Sequence, residues 1–326
     1  MNFTYAFPPG GLPPQSDDPA ESGAIFTTAY AFMPASVMRD IVTSLLPGWS
    51  GTRSWILARP LSGFAETFAQ YAVEVLAGGG SENPEPDPEA EGAILMAQGS
   101  MTLTIDGTPN PMGAGDYAYL AAGTDWSVKN DSDATCKFHW IRRRWTPANG
   151  VSKPESFLAT DREENIDWMP GTKSWGTTRF VDPTDVRHDM HVNIVTFTPG
   201  GRIPFAETHI MEHGLYVLQG TARYLLNRDW VSVGPGDFMW LRAWCPQACM
   251  ATGEEPFRYL LYKDVNRHPR LTLSKDGPLA VGQPNRTLTP RYRSLHSLLL
   301  IVSNETLESV SKERSTEALR KERNAI

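Results

Sequence analysis

One pattern occurs twice in this chain, and it limits the fold more than any other feature. Residues 95–123 read LMAQGSMTLTIDGTPNPMGAGDYAYLAAG, and residues 217–244 read VLQGTARYLLNRDWVSVGPGDFMWLRAW. Each runs strand, glycine (Gly99 or Gly220), strand, hairpin turn, short strand, then GAGD or GPGD, then a further strand. Self-similarity of this kind marks two copies of one structural unit. The copies lie about 120 residues apart. Other segments, such as HVNIVTFTPGG and FRYLLYKDV, are apolar or alternating and end in turn residues. That is the pattern of short strands. The expected fold class is all-β, with two related barrels or sandwiches in one chain.

The expected partition follows from composition shifts. Residues 1–23 are Pro-rich and read as a flexible N-terminal segment. Residues 24–142 hold the first barrel and 173–270 the second. The stretch 143–172 is rich in Pro, Gly and charge and reads as the linker. Residues 271–326 form a C-terminal extension, turn-rich at first. It then carries Leu298, Val302, Thr306 and Val310 at helical spacing.

A net charge of −7 argues against a nucleic-acid partner, which needs a basic face. The one dense basic run, IRRRW at 141–145, reads as a solvated or ion-paired connection. No window of about 18 apolar residues would cross a membrane, and the N-terminus lacks the layout of a signal peptide. Cys136, Cys245 and Cys249 are odd in number and sparse, which suits a reducing cytoplasm better than a disulfide framework.

The candidate chemistry sits in ETHIMEHGLYVLQG, residues 207–220. It places Glu207, His209 and His213 close together in a chain with only seven histidines. On an extended strand these three share a parity and therefore a face. A carboxylate and two imidazoles suit a divalent first-row metal such as Mn, Fe, Co, Ni or Zn. On FRYLLYKDV the alternation puts Phe257, Tyr259, Leu261 and Lys263 on one face. A lysine there either snorkels at a barrel mouth or contacts an anion inside.

The arrangement G201-x5-E207-x-H209-x3-H213-x6-G220 resembles the first cupin motif, G-x5-H-x-H-x3-E-x6-G, with the glutamate and first histidine exchanged. A second cupin motif, from Gly236 onward, puts Gln247 at its histidine position. With VGPGDFMWL and YKDVNR, this order resembles the (S)-ureidoglycine aminohydrolases, bicupins of allantoin and purine breakdown. The resemblance spans roughly residues 24–268 and is strongest over 189–267. It implies a bicupin fold and Mn2+ held by Glu207, His209, His213 and Gln247. It also implies substrate contacts at Tyr224, Gln247, Tyr259 and Lys263, and hydrolysis of (S)-ureidoglycine to (S)-ureidoglycolate and ammonia. Glu207 and Lys263 are the candidates for proton handling. A glutamine oxygen and a carboxylate are hard donors, which agrees with Mn2+.

The same register in the first half gives Pro86, Pro88 and Gly92, with Trp126 in the place of Gln247. None of these binds a metal well, so the first barrel is expected to be metal-free. A homo-oligomer with a small-molecule substrate is expected. Two other readings keep the fold: a metal-dependent cupin dioxygenase, and a non-catalytic bicupin that binds a small ligand. The first usually wants three histidines and one glutamate. The second needs no ligand set at all.

Overall fold

The computed structural model describes residues 1–13, 22–60, 64–65 and 67–264. The C-terminal extension expected at 271–326, partly helical or disordered, lies outside the described residues. Residues Met1–Arg267 form one compact unit. Among the described residues its regular structure is almost entirely β, with three short 3-10 turns. Among the described residues no helix is long and apolar enough to cross a membrane.

The duplicated pattern is visible in the backbone. Gly99 and Gly220 both adopt φ near +70°. A Cβ on Gly99 would meet Thr135 O at 2.8 Å, and one on Gly220 would meet Pro256 O at 2.4 Å. Only glycine fits both the conformation and the space. The GAGD and GPGD turns also match. Asp116 accepts from Gly113 N and Asp237 from Gly234 N, each at 2.8 Å.

In the first barrel the central strands are Ala90–Gln98, Cys136–Arg144 and Ala69–Ser81, side by side in a 10-stranded sheet. In the second, Phe238–Leu241, His213–Gln219, Phe257–Asp264, Met190–Phe197 and Trp175–Arg179 are consecutive neighbours in an 8-stranded sheet. A 3-stranded sheet of Asp229–Val233, Ala222–Leu226 and Gln247–Ala251 lies beside it. Alternation decides which way each side chain faces. Leu215, Val217, Phe257 and Tyr259 pack in one core with Val195 and Phe197. Their neighbours Tyr216, Leu218, Leu260 and Tyr262 pack in another, with Met190, Trp55 and Tyr117. The second of these cores draws residues from both barrels, so the barrels share an apolar interface.

The expected partition needs correction at three places. Ile25–Phe26 and Tyr30–Met33, assigned from sequence to the first barrel, belong to the second sheet. Tyr30–Met33 pairs with Phe238–Leu241, and the Tyr30 hydroxyl donates to Asp229 at 2.8 Å. The stretch 143–172 is not a plain linker. Phe157–Thr160 extends the first sheet by pairing with Asp116–Leu120, and Ile166–Trp168 pairs with Trp175–Arg179. An unpaired sheet edge exposes backbone donors and acceptors, and these short strands cover such edges.

The third correction concerns the N-terminal arm, which is built in rather than free. Ala6 N donates to Leu218 O at 2.9 Å, and Phe7 packs edge-on against Trp55. The Tyr5 hydroxyl donates to Asp161 at 2.8 Å. The reason is a buried charge. Arg258 pairs with Asp161, both side chains being wholly buried, and the guanidinium lies 3.5 Å from the Phe3 ring centroid. A buried guanidinium needs a counter-ion and a cover; the arm supplies the cover.

The basic run behaves as read from sequence. Arg142 pairs with Glu85, Arg143 with Asp189 and Arg144 with Asp87. The cysteines Cys136, Cys245 and Cys249 are buried and free.

Candidate active site

The second barrel contains a cavity of about 180 Å3. Every site residue singled out in the sequence lines it: Glu207, His209, His213 and Gln247, together with Tyr224, Tyr259 and Lys263. The route by which they meet differs from the expectation. Of Glu207, His209 and His213, only His213 stands on a regular strand, His213–Gln219. Glu207 is held by an isolated bridge to Gln247, with Glu207 N donating to Gln247 O (2.9 Å) and Gln247 N to Glu207 O (3.0 Å). His209 follows in irregular chain, anchored by Trp244 N donating to its carbonyl at 2.8 Å. The three residues therefore converge by looping over the barrel mouth, not by strand alternation.

Three side chains meet around one amide. Gln247 Oε1 lies 3.1 Å from His213 Nε2, and Gln247 Nε2 lies 3.1 Å from His209 Nε2. The Tyr224 hydroxyl donates to Gln247 Oε1 at 2.9 Å. The imidazole centroids of His209 and His213 are 4.7 Å apart. Among the described residues no three carboxylate, imidazole or thiol groups close into a cluster of their own. The convergence runs through the amide, and the Glu207 carboxylate shares the cavity with Lys263 as its charged neighbour.

The proton positions in this group are constrained. His213 Nδ1 lies 3.2 Å from Met211 O. A carbonyl only accepts, so Nδ1 carries a proton. Burial pushes the His213 pKa down to about 4, so the ring is neutral near pH 7. Its Nε2 then presents a bare lone pair. It faces an amide oxygen that already accepts from Tyr224. In this orientation of the amide two lone pairs 3.1 Å apart repel, and a cation between them would relieve the repulsion. Adjacent ligand atoms on an octahedral ion with bonds of about 2.1 Å are themselves about 3 Å apart. The His213 and Gln247 pair thus fits a divalent metal in spacing and in protonation. The His209 pKa is also lowered, mainly by burial, and among the described residues its buried Nδ1 has no hydrogen-bond partner, while its Nε2 faces the Gln247 amide nitrogen.

The charges around this group are few. Burial raises the Glu207 pKa, and Lys263 opposes the shift. Burial lowers the Lys263 pKa, and Glu207 opposes that. Lys263 stands across the sheet from His213 on one side and His191 on the other. His191 is pushed down to about 4, first by burial and then by Lys263. The Tyr224 and Tyr259 hydroxyls are held well above their usual range, chiefly by burial, and remain proton donors.

Several wall residues were not read as part of the site, Arg179 and Asn193 among them. Arg179 and Asn193 are paired across the sheet, and both line the cavity. Asn193 did carry a sequence signal: in MHVNIVTF it is a polar residue at an inward-facing position of an apolar strand. Arg179 ends the Trp175–Arg179 strand, with an Asp167 partner on the outside, and nothing in its spacing sets it apart.

The first barrel has a cavity of about 230 Å3 at the matching end. Pro86, Pro88, Gly92 and Trp126 line it, in the places that the second barrel gives to Glu207, His209, His213 and Gln247. Its acids Glu85 and Asp87 are paired with Arg142 and Arg144.

The cupin domain family matches residues 72–142 and 193–262, one match in each barrel. Among solved structures, the chain is similar to a glyoxylate-induced protein of Pseudomonas aeruginosa. The two are 55% identical with a TM-score of 0.76, over 83% of this chain and all of that one. The (S)-ureidoglycine aminohydrolase of Arabidopsis thaliana is 30% identical over 70% of this chain and 74% of its own length. A rice protein (Oryza sativa subsp. japonica) named as the probable enzyme of the same activity is 33% identical over 70% of this chain and 71% of its own. With likeness of that extent over both barrels, the protein belongs to the (S)-ureidoglycine aminohydrolase family of two-barrel cupins.

Proposed function

We propose that this protein hydrolyses (S)-ureidoglycine to (S)-ureidoglycolate and ammonia in allantoin degradation. We further propose that it does so with one Mn2+ held by Glu207, His209, His213 and Gln247. The observation that carries the metal reading is the facing pair of acceptors, His213 Nε2 and Gln247 Oε1, 3.1 Å apart in the cavity. The named relatives carry the substrate reading. Two hard oxygen donors beside two imidazoles favour Mn2+ over thiolate-seeking metals.

The overall reaction breaks the C–N bond to the amine and forms a C–O bond to water. One proton of that water must reach the departing nitrogen. When bound, the metal would supply Lewis acidity and lower the pKa of coordinated water. The protein does the rest. Lys263 pairs with the substrate carboxylate as a point charge. Its lowered pKa, caused chiefly by burial, also makes it able to give up a proton. Glu207, with its pKa raised by burial, is the second proton carrier in the cavity. Tyr224 fixes the Gln247 amide through its hydroxyl. Tyr259, buried beside it, closes the apolar wall that keeps bulk water off the reacting carbon.

The test is ammonia release from freshly generated ureidoglycine, combined with metal analysis of protein purified without chelator. The expected result is stoichiometric Mn2+ and turnover, both lost in His209→Ala with the fold retained. Iron or nickel at full occupancy without ammonia release would favour a dioxygenase. Turnover and full metal content in His209→Ala would overturn the ligand assignment.

A further inference from the structure

Asn193 stands on the Met190–Phe197 strand, flanked across the sheet by Leu261 and Arg179. It is 5% exposed and lines the active-site cavity. Its Oδ1 is buried and, among the described residues, has no hydrogen-bond partner. A buried amide oxygen left without a donor is costly, and such groups in folded proteins are almost always satisfied. No element of the mechanism above uses it.

The register places this acceptor relative to the catalytic groups. His213, Lys263 and His191 form one row across the sheet. Leu215, Leu261, Asn193 and Arg179 form the next row that faces the cavity. Rows of the same face are about 7 Å apart along a strand. A substrate with its carboxylate at Lys263 can therefore reach toward Asn193 along the same face. In a ureide of glycine, four bonds separate the carboxyl carbon from the terminal ureido nitrogen, about 5 Å when extended. Side chains reaching in from the two rows span the remainder. At that end the substrate offers an NH2 group, a donor to meet an orphan acceptor. A leucine or valine at this inward position would suit an apolar core. An amide suits a ligand that brings its own N–H.

We propose that Asn193 is the specificity-determining residue for the ureido group, its Oδ1 accepting from the terminal NH2 of the substrate. The assignment rests on the substrate reading given above. It makes the cavity selective for carbamoyl over acyl groups of the same shape. An acyl methyl in place of NH2 would leave the Asn193 oxygen unsatisfied, and sites built around such a bond reject analogues that lack it.

Two stable ligands isolate this contact. N-carbamoylglycine and N-acetylglycine share the carboxylate and the carbonyl, and differ in NH2 against CH3. Calorimetric titration of the Mn2+-loaded protein is expected to show the carbamoyl ligand binding about 10-fold or more tightly. In Asn193→Leu the preference is expected to shrink to about 3-fold or less, with metal content unchanged. The wild-type comparison stands alone if the leucine variant fails to fold. Equal affinities in the wild type, or a preference that survives in Asn193→Leu, would overturn the assignment. If equal affinities accompany normal ammonia release from ureidoglycine, only the role of Asn193 falls. Binding of neither ligand, with no ammonia release, removes the substrate reading and this inference with it.

Discussion

Tyr224→Phe separates two roles that the residue could have in the cavity. Its side chain is 1% exposed, and its hydroxyl donates to Gln247 Oε1 at 2.9 Å. Burial holds that proton in place. The hydroxyl is therefore committed to an amide oxygen that also faces His213 Nε2. Phenylalanine keeps the ring and its packing against Tyr259, so only the donor is lost. A neutral buried hydrogen bond contributes about 1 kcal/mol, which should be the loss in stability of the metal-free protein. Fixing a metal ligand from behind typically contributes about 10- to 100-fold in metal affinity. The expected result is thus an Mn2+ affinity at least about tenfold weaker. At saturating Mn2+, KM for ureidoglycine should change little. Equilibrium dialysis against chelator-buffered Mn2+ gives the first quantity, urea unfolding the second and steady-state kinetics the third. An unchanged Mn2+ affinity with KM raised about tenfold would refute the reasoning, because the hydroxyl would then serve the substrate directly.

Lys263→Met removes the charge and keeps the length; a lost charge-assisted hydrogen bond of about 1.5–3 kcal/mol predicts kcat/KM lower by about 10- to 150-fold with metal retained, and unchanged kinetics would mean that another group holds the carboxylate. Asp161→Asn leaves the wholly buried Arg258 without its counter-ion, so urea unfolding should show a loss of about 3–5 kcal/mol, and a loss below about 1 kcal/mol would count against the arm as a cover for that charge. Glu91 is wholly buried, accepts from the Tyr119 hydroxyl at 2.6 Å and adjoins Asp189, and burial first and then Asp189 push its pKa well above 4.5. Its folded-state proton therefore contributes stability that is full below about pH 4.5 and drains away as pH rises toward the raised value. Glu91→Gln mimics the protonated acid, so its unfolding free energy should fall less than that of the wild type between about pH 5 and 8; parallel pH profiles would show that the carboxyl is ionised in the folded protein.

What the sequence disclosed was local. Gly99 and Gly220 mark positions where only glycine fits, and Asp116 and Asp237 bind their own turns, so the duplication can be read from short strings. The inward faces of His213–Gln219 and Phe257–Asp264 follow from alternation alone. The metal candidates line one cavity, but the strand argument that grouped them fails at Glu207 and His209. The chain there has left regular structure after Phe197, and Glu207 is fixed by the backbone of Gln247, a partner 40 residues away. Long-range pairing also hid the placement of Tyr30–Met33, because nothing within four residues states which sheet they join. Arg179 escaped for a related reason, since a single polar side chain at a strand end has no spacing to betray it; the signal of Asn193, one amide on an apolar strand face, gains its meaning only from the strands on either side.

The exchange of Tyr30–Met33 into the second sheet also governs how the chain comes into being. The Tyr30 hydroxyl and its Asp229 acceptor are 199 residues apart. At ribosomal speeds of about 5–20 residues per second, the arm waits about 10–40 s for its partner to be made. Through that interval the early strand has nothing to pair with, and the first barrel assembles beside an idle segment. Once Phe238–Leu241 emerges, the segment closes over it and ties the beginning of the chain to nearly its last described strand. A fragment started at the 143–172 stretch would carry the whole ligand set but present Phe238–Leu241 as a bare edge, open to any passing strand. The two barrels were duplicated as modules, but they are no longer separable as ones.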